Sequence, residues 1–342
     1  MHRRLRTLAP VPGRVSSCFH LHRRAALAVL IVSVACSSGT GPDGGGTEGK
    51  THPAGTVSDR ITFNTGHIGI AVAPNGVGYV SGPAGLDRFS TQSPYTKLSS
   101  VTTGNGPRDI VFDRSGTIAY AATDNGKAYV VDLAAGTMKA TLAVGDTSLS
   151  GDARQNKLAL ALDGSRAYLA VWGRLWSIPT NGAAATSVAH NGQAIAVSPS
   201  TGAIYVSNAG DLRVSRVDPS TLQTLATSSN VFNATVVAVA PGGDEVYVDN
   251  PSGILNILDP TTLAVRGQVS LPSCGVSGIT VSPDGTQIYV ALIDSKLAIV
   301  DRATRTVVST LTLGGYPLRI AFDPAGTTAF VVNLEGWVDV VR

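Results

Sequence analysis

The sequence predicts an all-β fold for residues 59–342, a seven-bladed β-propeller of four-stranded blades. Three observations predict it. A phrase consisting of an apolar strand, a turn and an aromatic residue occurs seven times, at intervals of 37 to 48 residues. Further apolar runs follow each phrase. The last unit lacks a fourth strand, and a segment before the first unit matches the missing pattern.

The recurring phrase accounts for the first two strands of each blade. It reads IAVAPNGVGYV from Ile70 and ITVSPDGTQIYV from Ile279. Its Pro, Asp and Gly residues are typical of a tight turn between antiparallel strands. Its apolar runs are nearly continuous, as expected of strands covered on both faces by neighbouring blades. Each second strand carries one aromatic residue: Tyr79, Tyr120, Tyr168, Tyr205, Tyr247, Tyr289 and Phe330.

The third and fourth strands are predicted from shorter runs, such as YVVDL from Tyr129 and VVSTLTL from Val307. The fourth runs alternate apolar and polar residues, which is typical of a half-exposed outer strand. The seventh unit ends at Arg342 after its third strand. The sequence RITFNTG before the first unit matches the fourth-strand pattern, so we expect Ile61–Thr65 to complete the last blade and to cover its open edge.

Residues 1–35 have the pattern of an export signal, with the apolar stretch AALAVLIVSVA after a basic flank. This stretch is shorter than the roughly 20 residues that span a bilayer. The sequence SVAC ending at Cys36 resembles a bacterial lipobox. That resemblance implies a lipid on Cys36 as the only membrane attachment, in a periplasmic or cell-surface location. Ser33 replaces the usual Leu, so cleavage after Ala35 and secretion remain an alternative.

Residues 36–58 are rich in Gly, Ser, Thr and Pro and have no apolar period, which predicts a flexible tether without structure of its own. Six of the 26 basic residues lie in residues 1–35. The remaining 20 basic and 23 acidic residues give the chain from Cys36 onward a net charge of −3. Because nucleic-acid binding requires a basic surface, we expect no nucleic-acid partner.

The strand ends YVSN at Asn208, YVDN at Asn250 and FVVN at Asn333 resemble the YVTN repeat of bacterial and archaeal surface propellers. Gly106-Pro107 and Tyr316-Pro317 are similar to that family's start of the innermost strand. The resemblance covers about 284 residues, and blades one and three depart from it most. It implies the propeller fold. The wider group includes lactone-hydrolysing enzymes, redox subunits and many surface proteins.

The chain after Cys36 contains no sequence motif for a catalytic site or a metal site, so we predict no catalytic residue, metal or cofactor. We interpret His67 and His190 as ordinary turn or surface residues. Most aspartates recur at turn positions, where they are expected to cap the turns. Cys274, the only cysteine in the propeller region, is interpreted as a small buried apolar residue.

A ligand site is expected where the innermost strands begin, because these residues surround the mouth of the central channel. The loops between the second and third strands belong to the same face. The candidate ligand face therefore consists of Asp109, Lys157, Arg319, Asn208, Asn250, Asn333 and Trp172. The alternative is that Asp109 pairs with a neighbouring base and that the rim is merely solvated.

These observations lead to one main functional hypothesis, a monomeric binding or scaffold module for an extracytoplasmic protein, peptide or glycan. The first alternative is a lactonase-like hydrolase that uses the channel mouth, with Asp109 holding a divalent cation. The second is a non-catalytic subunit of a periplasmic redox enzyme, which would require a partner chain since the sequence has no haem-attachment motif.

Overall fold

The computed structural model describes residues 52–53, 55–63, 66–103, 106–123, 127–143, 157–171, 173–208, 213–229, 231 and 233–342. All of them belong to one structural unit, Glu48–Arg342. They form seven four-stranded antiparallel sheets, and the innermost strands of neighbouring sheets contact one another in a ring. The predicted all-β, seven-bladed propeller is confirmed.

The blades are numbered in chain order, and the strands of each are given from the channel outward. Blades 1 to 3 contain β2 (Ile70–Val72), β3 (Val77–Gly82), β4 (Gly85–Ser90) and β5 (Lys97–Thr102); β6 (Pro107–Phe112), β7 (Ile118–Thr123), β8 (Lys127–Asp132) and β9 (Thr137–Ala143); and β10 (Leu158–Leu160), β11 (Arg166–Val171), β12 (Arg174–Pro179) and β13 (Thr186–Ala189).

Blades 4 to 7 follow the same plan, except that the outer strand of blade 7 comes from the start of the domain. They contain β14 (Ala194–Val197), β15 (Ile204–Asn208), β16 (Arg213–Val217) and β17 (Thr224–Thr227); β18 (Val237–Val239), β19 (Val246–Val248), β20 (Ile254–Leu258) and β21 (Val265–Ser270); β22 (Val276–Val281), β23 (Gln287–Leu292), β24 (Lys296–Asp301) and β25 (Thr306–Thr312); and β26 (Pro317–Phe322), β27 (Ala329–Asn333), β28 (Trp337–Val341) and β1 (Val57–Thr62).

The hydrophobic core lies between the blades. Seven clusters of buried side chains occur, and each joins two neighbouring blades. All seven recurring aromatic residues of the second strands are at most 5% exposed. Burial of a large aromatic side chain is worth about 2–3 kcal/mol. The aromatic position of the repeat is therefore a packing position.

The turns explain the recurring Gly and Asp residues. In all seven blades the turn after the innermost strand contains a glycine with φ between 69° and 80°, a conformation that side chains with a Cβ rarely adopt: Gly76, Gly116, Gly164, Gly202, Gly243, Gly285 and Gly326. Aspartates of this turn and of the turn before the outer strand accept hydrogen bonds from backbone amides. The prediction that they cap turns is confirmed.

Ring closure differs from the prediction in its boundaries. Strand β1 spans Val57–Thr62 and pairs with β28 from Val57 opposite Val341 to Thr62 opposite Trp337. The predicted Ile61–Thr65 thus overlaps only its last two residues, because the exposed residues 57–60 carry no apolar pattern to indicate a strand. Residues 64 and 65 lie outside the described residues. Since Pro53 is buried and accepts a hydrogen bond from Tyr289, the propeller begins before residue 59.

The predicted export signal, the lipid site Cys36 and most of the tether lie outside the described residues. In the part of the chain that is described, no helix has the length and apolar character needed to cross a membrane. The interpretation of Cys274 as a buried residue was wrong, because this residue is half-buried.

Candidate functional site

The channel mouth is formed by the residues that begin the innermost strands. Two of them, Gly69 and Gly278, allow neighbouring strands to approach closely. A Cβ on Gly278 would lie 2.1 Å from the carbonyl oxygen of Leu318, and one on Gly69 would lie 2.9 Å from that of Arg108. These glycines keep the ring narrow at this end, where the sequence placed three charged candidates.

The structure brings two of these candidates, Asp109 and Arg319, into direct contact. Arg319 Nη1 of blade 7 donates a hydrogen bond of 2.5 Å to Asp109 Oδ1 of blade 2, past the small Gly69 of blade 1. Both residues are about 95% buried. An ion pair removed from water in this way is stable only when further hydrogen bonds satisfy its remaining polar atoms.

Backbone amides supply the further hydrogen bonds of the Asp109 carboxylate. Asp109 Oδ1 also accepts from the amide of Ile110 at 2.9 Å. Asp109 Oδ2 accepts from the amides of Lys157 at 2.7 Å and Leu158 at 2.9 Å, both in blade 3. Four hydrogen bonds occupy the acceptor positions of this carboxylate. Asp109 therefore links blades 7, 2 and 3.

The first amides of the innermost strand of blade 3 need Asp109 as an acceptor because blade 3 supplies none of its own. In three blades, a side chain near the end of the second strand accepts from the first amides of the innermost strand. Ser81 does so in blade 1, Ser207 in blade 4 and Asp249 in blade 5. Blade 3 has Ala170 at this place, so it cannot supply an acceptor. Asp109 supplies it from the neighbouring blade.

The other predicted candidates lie on the same face in different roles. Lys157 is also about 95% buried at the mouth. Asn333 is fully buried, donates to Gly314 O and accepts from the amide of Tyr316. Asn250 is half-buried and accepts from the amide of Ser252 within its own turn. Trp172 lies outside the described residues.

Asn208 differs from the other asparagines because it lines a cleft of about 600 Å³ between blades 3 and 4. We call this the 3/4 cleft. It opens on the same face as the channel mouth. The described residues that line it are Gly173, Ala189, His190, Asn191, Asn208, Arg213, Ser215, Thr224 and Thr227. A volume of this size is in the range of small-molecule binding sites.

Sequence reasoning missed His190, Arg213 and Ser215 as members of one cleft. A comparison of the third strands could have found Ser215. In each blade, one residue of the third strand pairs with the recurring aromatic residue of the second strand. The third-strand residues one position earlier are Asp87, Tyr129, Trp176, Ser215, Asn256, Ala298 and Asp339. Blade 4 thus has a small polar residue where blades 2 and 3 have large aromatic ones.

The interpretation of His67 as a turn or surface residue was wrong. Its side chain is fully buried, with the ring 4.8 Å from that of Phe63. His67 Nε2 lies 2.7 Å from Asp87 Oδ2, and Ser100 Oγ donates to Asp87 Oδ1 at 2.5 Å. The carboxylate lies between the histidine and the serine, so these residues do not have the order of a catalytic triad, in which histidine is central.

Among the described residues, no group of three or more His, Cys, Asp or Glu side chains has an arrangement that could hold a metal ion. A scan against protein-family models gives no match, and a comparison with curated proteins finds no significant similarity.

Proposed function

We propose that this chain is an exported binding module whose ligand face is the side of the propeller that carries the channel mouth. The observation that carries the proposal is the set of contacts around Asp109, which joins blades 7, 2 and 3 beneath that face. A recognition surface held in one conformation loses little entropy when it binds. The partner class is an extracytoplasmic protein, peptide or glycan.

The relationship to a propeller family and the cellular location are part of the same proposal. The YVTN-like strand ends at Asn208, Asn250 and Asn333 support a relationship to the surface propellers that carry this repeat. The lipobox-like sequence before Cys36 supports a lipid anchor in the cell envelope, and secretion is the alternative. Residues 36–51 would then separate the propeller from the membrane surface.

The contacts of Asp109 favour the binding module over the lactonase-like hydrolase. That alternative needs the Asp109 carboxylate as a cation ligand, whereas its four acceptor positions are taken by Arg319 and three backbone amides. The redox-subunit alternative stays a prediction, because it depends on a partner chain.

Two experiments test the proposal. The mature protein is screened on glycan and peptide arrays and cross-linked to its neighbours on intact cells. A specific partner supports it, whereas turnover of a lactone panel without any retained partner would contradict it.

Mass spectrometry and detergent partition of the parent and of Cys36→Ser test the anchor. We expect a diacylglyceryl mass on the parent that the variant lacks, and a parent without this mass would be secreted or anchored otherwise.

A further inference from the structure

A second cleft lies on the face opposite the channel mouth, among the turns that follow the innermost strands and precede the outer strands. It has a volume of about 530 Å³ and is lined by turns of blades 2, 3 and 4, all of which are described in full. We call it the turn-face cleft. The residues that determine its chemistry are Arg114, Leu162, Asp163, Arg166, Thr201 and Pro219. A volume of this size accommodates a small molecule or a few side chains of a partner.

Two of the turns beside this cleft depart from the repeat. In every blade the recurring turn glycine donates to a carbonyl oxygen at the end of the innermost strand, and the residue after that carbonyl is a proline in five blades: Pro74, Pro199, Pro241, Pro283 and Pro324. Proline is favoured there because its fixed φ suits the turn. Blades 2 and 3 have Arg114 and Leu162 instead. These blades are neighbours, and both replacing side chains line the same cleft.

The turn of blade 3 is also less covered than that of blade 2. A Cβ on Gly116 of blade 2 would lie 2.5 Å from Cδ of Pro74, so the proline of blade 1 packs closely on it. A Cβ on Gly164 of blade 3 would meet no atom of the described residues within 4 Å. Arg114 therefore does not pack on the next turn as Pro74 does, and the space beside the blade 3 turn stays open.

Leu162 gives the cleft an apolar surface that is 43% exposed. Among the described residues, the other exposed large apolar side chains lie in outer strands or in loops of the mouth face: Val57, Leu98, Met138, Leu225, Val265, Val308, Ile293 and Leu334. Leu162 is thus the one large exposed apolar side chain that the described turns present on this face. A ligand with an apolar group of its own would remove this surface from water.

The charged groups of the cleft favour an anionic ligand. Arg114 is exposed and forms no hydrogen bond or ion pair with another described residue. Arg166 is half-buried, and its Nη1 donates to Ser177 Oγ at 2.9 Å. Asp163 accepts hydrogen bonds from the amide and the hydroxyl of Ser165 within its own turn. Two guanidinium groups thus face one carboxylate among the described lining residues. Arginine binds carboxylates through two parallel hydrogen bonds.

From these observations we infer that the turn-face cleft binds an acidic peptide segment of a partner protein. An apolar side chain of the segment packs on Leu162, and carboxylates next to it pair with Arg114 and Arg166. More than half of the lining residues are exposed, so the cleft is shallow. A peptide that continues across the surface covers a shallow cleft better than a small molecule does. The site lies on the opposite face from the proposed ligand face and goes beyond it.

The test uses the mature full-length protein and biolayer interferometry with biotinylated peptides on one common linker. The cores are Glu-Leu-Glu, Gln-Leu-Gln and Glu-Ser-Glu, and a carboxylate on each side of the leucine allows either chain direction. We expect Glu-Leu-Glu to bind and Gln-Leu-Gln to bind at least about tenfold more weakly, because charge-assisted hydrogen bonds are the stronger class. Glu-Ser-Glu should bind at least about fivefold more weakly, because it buries no apolar side chain.

Three results of this first test would overturn the inference. They are no measurable binding of the Glu-Leu-Glu peptide, equal binding of the Gln-Leu-Gln peptide, and displacement of the Glu-Leu-Glu peptide by an equal concentration of free 4-methylpentanoate. That small carboxylate carries the same charge and the same branched apolar group as the peptide. Displacement by it would assign the cleft to a small molecule.

Two variants place the binding in the cleft. Arg114→Gln and Leu162→Pro should each weaken binding of the Glu-Leu-Glu peptide at least about fivefold, through the lost ion pair and the lost apolar contact. Leu162→Pro restores the residue that five blades have at this place, so the turn should fold. If it does not, Leu162→Ser replaces it. The matched controls are Lys139→Gln and Leu225→Thr, which remove an exposed charge and an exposed leucine outside the cleft lining. Both should bind as the parent does.

The outcomes separate this inference from the proposed function. Binding of the Glu-Leu-Glu peptide that is equal in the parent and both cleft variants would overturn the assignment to the cleft. A partner from the arrays that binds all of these proteins equally well would still support the ligand face at the channel mouth. Peptide binding that is lost in both cleft variants and kept in both controls supports the turn-face cleft even if the arrays yield no partner.

Discussion

Two tyrosines of the repeat form hydrogen bonds to the next blade in addition to packing in the core. The hydroxyl groups of Tyr168 and Tyr205 donate to the carbonyl oxygens of Pro219 and Pro260, each in the turn before the outer strand of the next blade. Burial raises the pKa of both phenols, so they remain protonated donors at neutral pH. Each tyrosine thus combines packing within one blade with a hydrogen bond to the next.

Tyr205→Phe should lower the free energy of unfolding by about 1 kcal/mol, the usual net contribution of one hydrogen bond. Urea denaturation measures this change. The control is Tyr95→Phe, because the Tyr95 hydroxyl is buried without a hydrogen-bond partner among the described residues, so its removal should be neutral or slightly stabilising. Equal losses in both variants would contradict the role of the Tyr205 hydroxyl.

Asp109→Ala should destabilise the protein by about 3–5 kcal/mol, since it leaves Arg319 buried without its carboxylate and two amides of blade 3 without an acceptor. Chemical denaturation measures the loss. The control is Asp294→Ala, which removes an exposed pair with Lys296 and should cost about 1 kcal/mol or less. A loss below about 1 kcal/mol for Asp109→Ala would refute the structural role argued for this residue.

At the scale of elements, the closing strand β1 is held by both packing and charge. Ile61 and Phe63 are buried in the cluster between blades 7 and 1. Arg60 Nε donates to Asp339 Oδ1 at 2.8 Å, and its guanidinium lies 4.4 Å from the centre of the Trp337 ring. Asp339 is fully buried, and burial raises its pKa despite the opposing effect of Arg60. Loss of β1 would leave this carboxyl group without its cation.

A chain that begins at His67 should therefore melt at least about 6 °C below one that begins at His52. The truncation exposes the cluster that Ile61 and Phe63 cover, at about 1.5–3 kcal/mol per side chain, and each kcal/mol corresponds to about 2–4 °C in larger domains. Differential scanning calorimetry measures the shift. The chain from His52 is the control because it keeps β1. Equal melting temperatures would show that β1 does not stabilise the ring.

Across the whole molecule, the turn aspartates make the free energy of unfolding depend on pH. Backbone hydrogen bonds, first of all from the amide of Thr262, lower the pKa of Asp259 to about 2. The pKa values of Asp218 and Asp301 are also lowered, with backbone amides as the largest cause. A carboxyl group with a lowered pKa in the folded state stabilises the fold above its ordinary pKa of about 4, and this stabilisation is lost as the pH falls.

The free energy of unfolding should thus decrease between about pH 4 and pH 2. Asp339, whose pKa is raised, acts in the opposite direction but is a single group. Urea denaturation at pH 7, 4, 3 and 2 measures the trend. Asp259→Ala should be less stable than the parent at pH 7 and nearer to it at pH 2. A stability that is constant from pH 5 to pH 2 would contradict this account.

Whether a feature could be predicted from the sequence depends on whether the repeat places it at the same point of every blade. The aromatic positions and the turn aspartates were predictable, because a repeat places them at the same point of every blade. The first four residues of β1 were not, because residues 57–60 are exposed and show no alternation. Nor was the contact of the buried His67 with the half-buried Asp87, since the two residues lie 20 positions apart, one before an innermost strand and one in a third strand.

The number of blades, the position of each second strand and the origin of the closing strand can be read from the sequence, since periodic burial leaves a periodic pattern. The roles of the charged residues depend on contacts that form only in the folded ring. Asp109 and Arg319 are 210 residues apart in the chain and meet because the ring places blades 7 and 2 on either side of a glycine. The 3/4 cleft likewise depends on two blades at once, and contacts between distant segments leave no local signature.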